Sequence, residues 1–412
     1  MPEAWIIDAC RTPRGIGKAG KGALAEIHPQ QLGATVLKAL AERTGIDTAD
    51  VDDVIWGTGS QMGLQRADLG RMSALDAGYD VRSSGVTLDR FCGSGISATN
   101  FAASTIMSGM SDLVVAGGTE MMSGFGRGGA AGPPVFDVGN LRLRARHPQT
   151  QQGICADAVA TLEGITREDV DRLGLASQQR AAHAIAHGHF DRSLVAVYRE
   201  DGSLALDHDE YPRPQTTMES LTALKPAFEA IADVAVDDTG ATFRSLILQK
   251  YPDLEIAFIH HAGNSSGVVD GSAALLLASP DYAREHGLKP RARVIAMANM
   301  GDSPTLMLNA PVPAIRKVLA KAGLTLDDID LFEINEAFAV VVEKAIRDLG
   351  LDREKVNVNG GAIALGHPIG ATGAILIGTL LDELERRDQR RGLVTMCAGG
   401  GMAPAIIIER ID

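Results

Sequence analysis

One part of this chain is written twice. Gly45-Ile46 followed by Asp50-Val51-Asp52 returns as Gly323-Leu324 followed by Asp328-Ile329-Asp330, at an offset of 323 − 45 = 278. The residues ahead of it match in kind, with Val36, Leu37 and Leu40 set against Ala314, Ile315 and Val318. Leu113-Val114-Val115-Ala116-Gly117-Gly118 pairs with Leu393-Val394-Thr395-Met396-Cys397-Ala398-Gly399 at 393 − 113 = 280, and Gly95 pairs with Gly373 at 278. An offset held within two residues over separated blocks marks a duplication, so the chain has to fold as two similar halves. Leu32, Val36 and Leu40 at i, i+4 and i+8 predict a helix that opens at Pro29 and stops at Gly45. Ile6-Ile7 and Val54-Ile55-Trp56 predict short strands. Strands alternating with helices in each half imply a mostly parallel sheet with covering helices. Two such halves packed together give a layered α/β core about a pseudo-twofold axis.

At 412 residues the chain holds enough material for a full core and two or three domains. The stretch from Met122 to Glu255 has no counterpart in the second half and reads as an insertion, a cap over a ligand groove. It opens with Ser123-Gly124-Phe125-Gly126-Arg127-Gly128-Gly129, passes arginines at 142, 144 and 146, and becomes helical around Arg167–Ala186. His183, His187 and His189 read there as a surface helix. Residue 184 is Ala, so the H-E-x-x-H metal signature lacks its glutamate and no metal site is expected. The expected boundaries are 1–121 with 256–284 for the first half, 122–255 for the insertion and 285–412 for the second half.

A net charge of −13 argues against nucleic acid or an anionic membrane as the main partner. The N-terminal residues lack the basic and apolar regions of a signal peptide. No apolar run approaches the ~18 residues of a membrane span. Four scattered cysteines (Cys10, Cys92, Cys155, Cys397) do not make a disulfide framework. The expectation is a cytoplasmic, reduced protein.

The chemistry concentrates in four turns. Arg90-Phe91-Cys92-Gly93-Ser94-Gly95 lies between a β-branched run (Val86-Thr87-Leu88) and a small-residue helical run, which places Cys92 at a helix N-terminus. Unpaired N–H groups there favour the thiolate, so its pKa should fall, and Gly93 and Gly95 should let the backbone approach whatever the sulfur attacks. Two bland readings compete. One is a buried structural cysteine, the default for a lone Cys. The other is a dinucleotide fingerprint, Gly93-x-Gly95-x-x-Ala98 with Glu120 closing the next apolar run. The cysteine would then occupy the place of the pyrophosphate. In the second half, Asn335-Glu336-Ala337-Phe338-Ala339 follows the apolar run 331–334, Gly366-His367-Pro368-Ile369-Gly370 follows a strand expected at Val356-Asn357-Val358, and Cys397-Ala398-Gly399-Gly400-Gly401 follows the run 393–396. One polar or nucleophilic group thus ends each of three strands, on the side where open α/β sheets bind ligands.

With Ala262-Gly263-Asn264-Ser265-Ser266-Gly267 added, five motifs in order resemble those of the thiolases, coenzyme A-dependent acyltransferases that make or cleave 3-ketoacyl-CoA. The resemblance covers essentially the whole chain. It implies a thiolase fold: two duplicated βαβαβαββ halves forming a layered αβαβα core, with an inserted loop domain. It further implies a homodimer or a tetramer made as a dimer of dimers, no tightly bound cofactor, and coenzyme A as substrate or product. Cys92 matches the acyl-accepting nucleophile, His367 the base that takes its proton, and Cys397 the cysteine that handles the α-proton of the acetyl group. Asn335 matches the residue that holds a water in one oxyanion hole, with His367 assisting. The N–H groups of Cys92 and Gly399 match the other hole. Arg213, Ser220 and Ser266 fall where the family contacts coenzyme A, and Phe338 and Met307 where it lines the acyl pocket.

The chemistry asks for this set. A thioester needs a soft nucleophile that can also leave, and an enolate needs a base tuned near neutrality together with hydrogen-bond donors. Departures gather around the acyl pocket: Glu229–Ile259 is inserted, with a packed helix (Phe243, Leu246, Ile247, Leu248, Tyr251) expected to lead into a strand Glu255-Ile256-Ala257-Phe258. His260-His261 replaces the threonine form, Gln151-Gln152 precedes Gly153, and Leu308-Asn309-Ala310-Pro311 replaces a glycine-richer turn. They leave open whether the enzyme degrades longer 3-ketoacyl-CoA or specifically makes acetoacetyl-CoA. A 3-ketoacyl-ACP synthase would carry a second histidine where Asn335 stands, as would a sterol-carrier-type thiolase. The reactive side chains argue against an inert scaffold.

Overall fold

The computed structural model describes residues 2–124 and 135–411. Residues 125–129 of the glycine-rich opening of the insertion lie outside them. The first half runs β1 (Trp5–Arg11), β2 (Gly15–Ile16), α1 (Pro29–Thr44), β3 (Asp53–Gly57), α2 (Leu69–Asp76), β4 (Ser84–Leu88), α3 (Ser94–Ser108) and β5 (Leu113–Met121). The middle of the chain supplies α4 (Leu141–Arg146), α5 (Gln152–Leu162), α6 (Arg167–Ala186), the hairpin β6 (Val197–Tyr198) and β7 (Leu204–Leu206), α7 (Met218–Thr222) and α8 (Phe243–Leu248). The chain returns as β8 (Val269–Ala278) and α9 (Pro280–Glu285). It then builds the second half from β9 (Ala292–Gly301), α10 (Pro311–Ala322), β10 (Leu331–Ile334), α11 (Ala339–Leu349), α12 (Ala362–Leu365), α13 (Ile369–Arg386), β11 (Arg391–Thr395) and β12 (Met402–Arg410).

The strands order as β4-β3-β5-β8-β1 and continue as β9-β12-β11-β10. Within each half the strands point one way except the last, since β8 is antiparallel to both β5 and β1, and β12 to both β11 and β9. The halves join edge to edge only through Trp5↔Arg293 and Ile6↔Ala292.

The repeat seen in the sequence is a repeat of hydrogen bonds. Gly45 and Gly323 end α1 and α10 with φ 68° and 66°, a conformation that glycine adopts without a Cβ penalty. Asp52 accepts from the N–H groups of Asp112 and Leu113, and Asp330, 278 residues on (330 − 52), accepts from those of Arg390 and Arg391. Helices α3 and α13 pack on each other and on strands of both halves, which makes them the middle layer. A Cβ on Gly373 would lie 2.1 Å from the Ile96 nitrogen, and one on Gly95 would lie 2.9 Å from the Gly373 nitrogen. The glycine pair thus lets two helix backbones touch at the pseudo-twofold axis.

Two expected strands are absent. Val356-Asn357-Val358 contributes a single parallel bridge, Phe332↔Val356. Asn357 turns to φ 48°, and its carboxamide bonds both the N–H and the C=O of Ile334, standing in for a strand neighbour. Glu255-Ile256-Ala257-Phe258 pairs with no strand. Backbone N–H groups of this segment are taken by side chains of α5, Ala257 by Thr161 Oγ1 and both Ile259 and His260 by Asp157 Oδ1. The helix expected before it is present as α8, with Phe243, Leu246 and Ile247 buried.

Candidate active site

Cys92 sits two residues ahead of α3 in a turn held against its own strain. Phe91 has φ 51°, left-handed for a bulky residue and costing on the order of 1–3 kcal/mol. Its N–H donates to Asp89 Oδ1 at 2.7 Å, the Ser94 N–H donates to the Phe91 carbonyl at 3.1 Å, and Ser94 Oγ has its one hydrogen in reach of the Phe91 carbonyl at 2.7 Å and the Thr58 carbonyl at 3.1 Å. The helix terminus does not lower the Cys92 pKa. The thiol is pushed up to about 12, because burial removes the water a thiolate needs and the Glu120 carboxylate repels the charge. Nor do the glycines serve an approaching ligand. Gly95 packs on α13, and Gly93 lies where a Cβ would meet Pro404 at 2.9 Å. The dinucleotide reading falls with them.

His367 stands just before α13, on the other side of the α3–α13 contact. It is buried, and its N–H donates to the Gly267 carbonyl at 2.9 Å. Nδ1 lies 2.6 Å from Thr372 Oγ1, a hydroxyl that also stands 3.0 Å from the Pro368 carbonyl. We assign the tautomer in which Thr372 gives its hydrogen to that carbonyl and accepts from Nδ1, which leaves the lone pair on Nε2, facing the Asn335 amide. Asn335, at the end of β10, directs its Nδ2 at that nitrogen from 3.4 Å, and its Oδ1 is buried without a protein partner. Burial, together with the Arg14 charge, lowers the His367 pKa to about 3, so the ring is neutral, and far more firmly so than a base tuned near neutrality. His367 does not end a strand, since the chain from 356 to 366 turns through α12.

The third turn closes on the first. Cys397 follows β11, and a Cβ on the next-but-one residue, Gly399, would lie 2.9 Å from the Phe91 ring. Cys397 is buried, and its pKa is driven up by burial and by the charge of a Cys92 thiolate. Cys92, Cys397 and Gly399 thus lie together, Asn335 faces His367, and the turns that carry the two groups meet through the Gly95–Gly373 contact. Cys10 and Cys155 donate to the carbonyls of Val36 and Thr305 inside the core and are structural. All four cysteines are free.

The residues matched to coenzyme A contact lie toward the rim. Ser266 adjoins Gly267, whose carbonyl holds His367. Arg213 and Ser220 are exposed, with the Arg213 guanidinium 4.9 Å from the Tyr211 ring, and that ring packs against Gly267. Phe338 meets Phe228 at 5.9 Å and His260 at 5.8 Å, and Met307 belongs to the same apolar cluster. His260-His261 ties this wall to the insertion, His260 Nδ1 lying 2.7 Å from Asp157 and His261 Nε2 2.8 Å from Asp171. Sequence reasoning missed Thr372, which fixes the tautomer, and Gln152, whose side chain faces the Cys92 thiol. Spacing within the Gly366–Gly373 motif could have signalled the first; the second was flagged only as a departure near the acyl pocket, with no role given to it. His183, His187 and His189 cluster ring against ring on and just beyond α6. Among the described residues no group of His, Cys, Asp or Glu could hold a metal ion.

Residues 4–241 match the family described as thiolase, N-terminal domain, and residues 288–410 the thiolase, C-terminal domain. A steroid 3-ketoacyl-CoA thiolase, FadA6, of Mycobacterium tuberculosis is 41% identical over 100% of this chain and 95% of its own length. A beta-ketoadipyl-CoA thiolase of Acinetobacter baylyi is 40% identical over 100% of both. The crystal structure of the Bacillus anthracis acetyl-CoA acetyltransferase superposes with a TM-score of 0.83 at 35% identity, covering 100% of this chain and 99% of that one. The duplicated α/β core is that of a thiolase, and the chain belongs to that family of acyltransferases acting on CoA thioesters.

Proposed function

We propose that the enzyme cleaves 3-ketoacyl-CoA with coenzyme A, and runs the reverse condensation, through an acyl group carried on Cys92. Cys92 Sγ attacks the 3-keto carbon while His367 Nε2 takes the thiol proton. The C2–C3 bond breaks, its electron pair leaves as the acetyl-CoA enolate, and Cys397 protonates that carbon. The thiol of a second coenzyme A then attacks the acyl thioester, its proton going to the Cys397 thiolate while His367 returns the first proton to Cys92 as that sulfur leaves. Asn335, with a water and His367, steadies one oxyanion, and the N–H groups of Cys92 and Gly399 steady the other. Coenzyme A is the substrate that Arg213, Ser220 and Ser266 grip at the rim. The observation that carries the reading is the buried His367 ring, its Nδ1 2.6 Å from Thr372 Oγ1 and its Nε2 facing the Asn335 amide. A neutral ring with its lone pair on Nε2 can accept a proton from a neutral thiol during attack.

Segments 1–121 with 256–284 and 285–412 act as the catalytic halves, and 122–255 as the part that shapes the CoA and acyl groove. Two copies assemble through the open edge of β4, where Val86 is 44% exposed and Phe101 of α3 41%. Four free buried thiols suit a reducing cytoplasm, and no helix among the described residues is long and apolar enough to cross a membrane. Incubation with acetyl-CoA, digestion and mass analysis test the central role. The acetyl mass is expected on the peptide of Cys92, and its confinement to Cys397 or Cys155 would sink the assignment.

A further inference from the structure

Glu120, the last acidic residue of β5, is wholly buried between the two catalytic turns. Its Oε2 accepts from the N–H of Gly59 at 2.7 Å and from the N–H of Gly370 at 2.8 Å, and its Oε1 accepts from Gln65 Nε2 at 2.7 Å. Gly370 is in the first turn of α13, three residues after His367. Gly59 belongs to the loop whose Thr58 carbonyl faces the Ser94 hydroxyl, and the Ser94 N–H in turn holds the strained Phe91 carbonyl ahead of Cys92. One carboxylate oxygen therefore joins the turn of the nucleophile to the turn of the base. The strands and loops around the carboxylate pack closely. A Cβ on Gly370 would lie 2.4 Å from Thr58 Cα, and one on Gly118 would lie 2.2 Å from the Gly370 carbonyl.

We propose that Glu120 is a positioning residue for acyl transfer: its carboxylate clamps the His367 turn to the Cys92 turn, and its charge faces the Cys92 sulfur. The inference rests on the roles given above to Cys92 and His367. Every hydrogen-bond partner of the carboxylate among the described residues is a donor, so the clamp needs the ionised form. Burial pushes the Glu120 pKa up to about 7, against the pull of those donors, and the charge bears directly on Cys92. The other charged groups facing the site are Asp89, in the turn before α3, which adds to the repulsion at both Glu120 and Cys92, and Arg14, after β1, which acts on His367.

The two consequences separate under mutation. Glu120→Gln puts a donor among donors and removes the charge. It is expected to lower kcat for thiolysis by about 10–100-fold with KM within about twofold, in the range for a lost aligning interaction. The same variant should react faster with iodoacetamide at Cys92, its alkylation profile moving to lower pH, because the repulsion is gone. A merely structural defect would not raise thiol reactivity while slowing turnover. Should the variant fail to fold, Gln65→Leu removes a donor from the carboxylate and should move both readouts the same way by a few-fold. Unchanged kcat, or an alkylation profile that stays put or moves to higher pH, overturns the inference. Failure of the underlying reading would look different: unaltered enzyme would carry no acyl mass on Cys92.

Discussion

The turn before α3 and the turn before α13 occupy matching places in the two halves, yet one presents a thiol and the other an imidazole. Their glycines, Gly95 and Gly373, are in contact, so the duplication has brought two copies of one backbone device together and given each a different reagent. The outer edges of the halves diverge as well. In the first half β4 completes the sheet and leaves an open edge. In the second its place is taken by a bridge at Val356, and α6 of the insertion covers it, Arg180 donating to the carbonyls of Val356 and Arg353. The difference shows what duplication conserves here. The geometry at the axis is held, while chemistry and edges are free to specialise, one half leaving its edge strand open and the other being sealed by the insertion.

If the two turns are complementary and not redundant, removing the base should be nearly as damaging as removing the thiol. His367→Asn is expected to slow acylation of Cys92 by about 10²–10⁴-fold, the usual worth of a positioned general base, as read by quenched single turnovers. The same variant has a pH signature in stability. The wild-type ring would take a proton near pH 6.5 when unfolded but stays neutral to about 3 in the fold. The unfolded chain thus binds more protons in that window, and stability falls as pH drops from 6.5 toward 3. His367→Asn should flatten that fall in urea titrations at pH 7 and pH 5.

A smaller effect is expected from disturbing the axis itself. Gly373→Ala drives a Cβ into the Ile96 backbone, an overpacking that costs about 1–3 kcal/mol. It should lower the urea midpoint and slow acylation together, because the same contact aligns both turns. Smallest of all is the symmetric control. Gly45→Ala and Gly323→Ala meet open space and lose only the left-handed cap, about 1 kcal/mol each. Equal costs at the two sites, with activity intact, would sharpen the view that the halves share a backbone. A large activity loss at either would break it.

Much of this was legible in the sequence because the repeat is carried by residues with one backbone job. Gly45, Gly323, Asp52 and Asp330 cap and tie turns wherever the chain puts them. What was not legible depended on neighbours from far along the chain. The thiol of Cys92 looked acidified by its helix, and only the fold shows Glu120 and full burial outweighing that terminus. Glycines 93 and 95 looked like room for a ligand and turned out to be room for Pro404 and for α13. Asn357 and Asp157 likewise replaced whole strands with single side chains, a substitution that hydrophobic pattern cannot reveal.

The central claim is that Cys92 takes the acyl group while Cys397 handles only the proton on the α-carbon, and one variant tests it directly. Cys397→Ala keeps the nucleophile, His367 and an oxyanion hole, so acetyl transfer from acetyl-CoA to Cys92 should persist with only a modest indirect loss. Exchange of deuterium into the acetyl methyl of acetyl-CoA, followed by NMR on the same preparation, should fall by about 10²–10⁴-fold. Lost exchange with retained acylation is the predicted result. Normal exchange with lost acylation would contradict the account, since the two cysteines would then have to trade places.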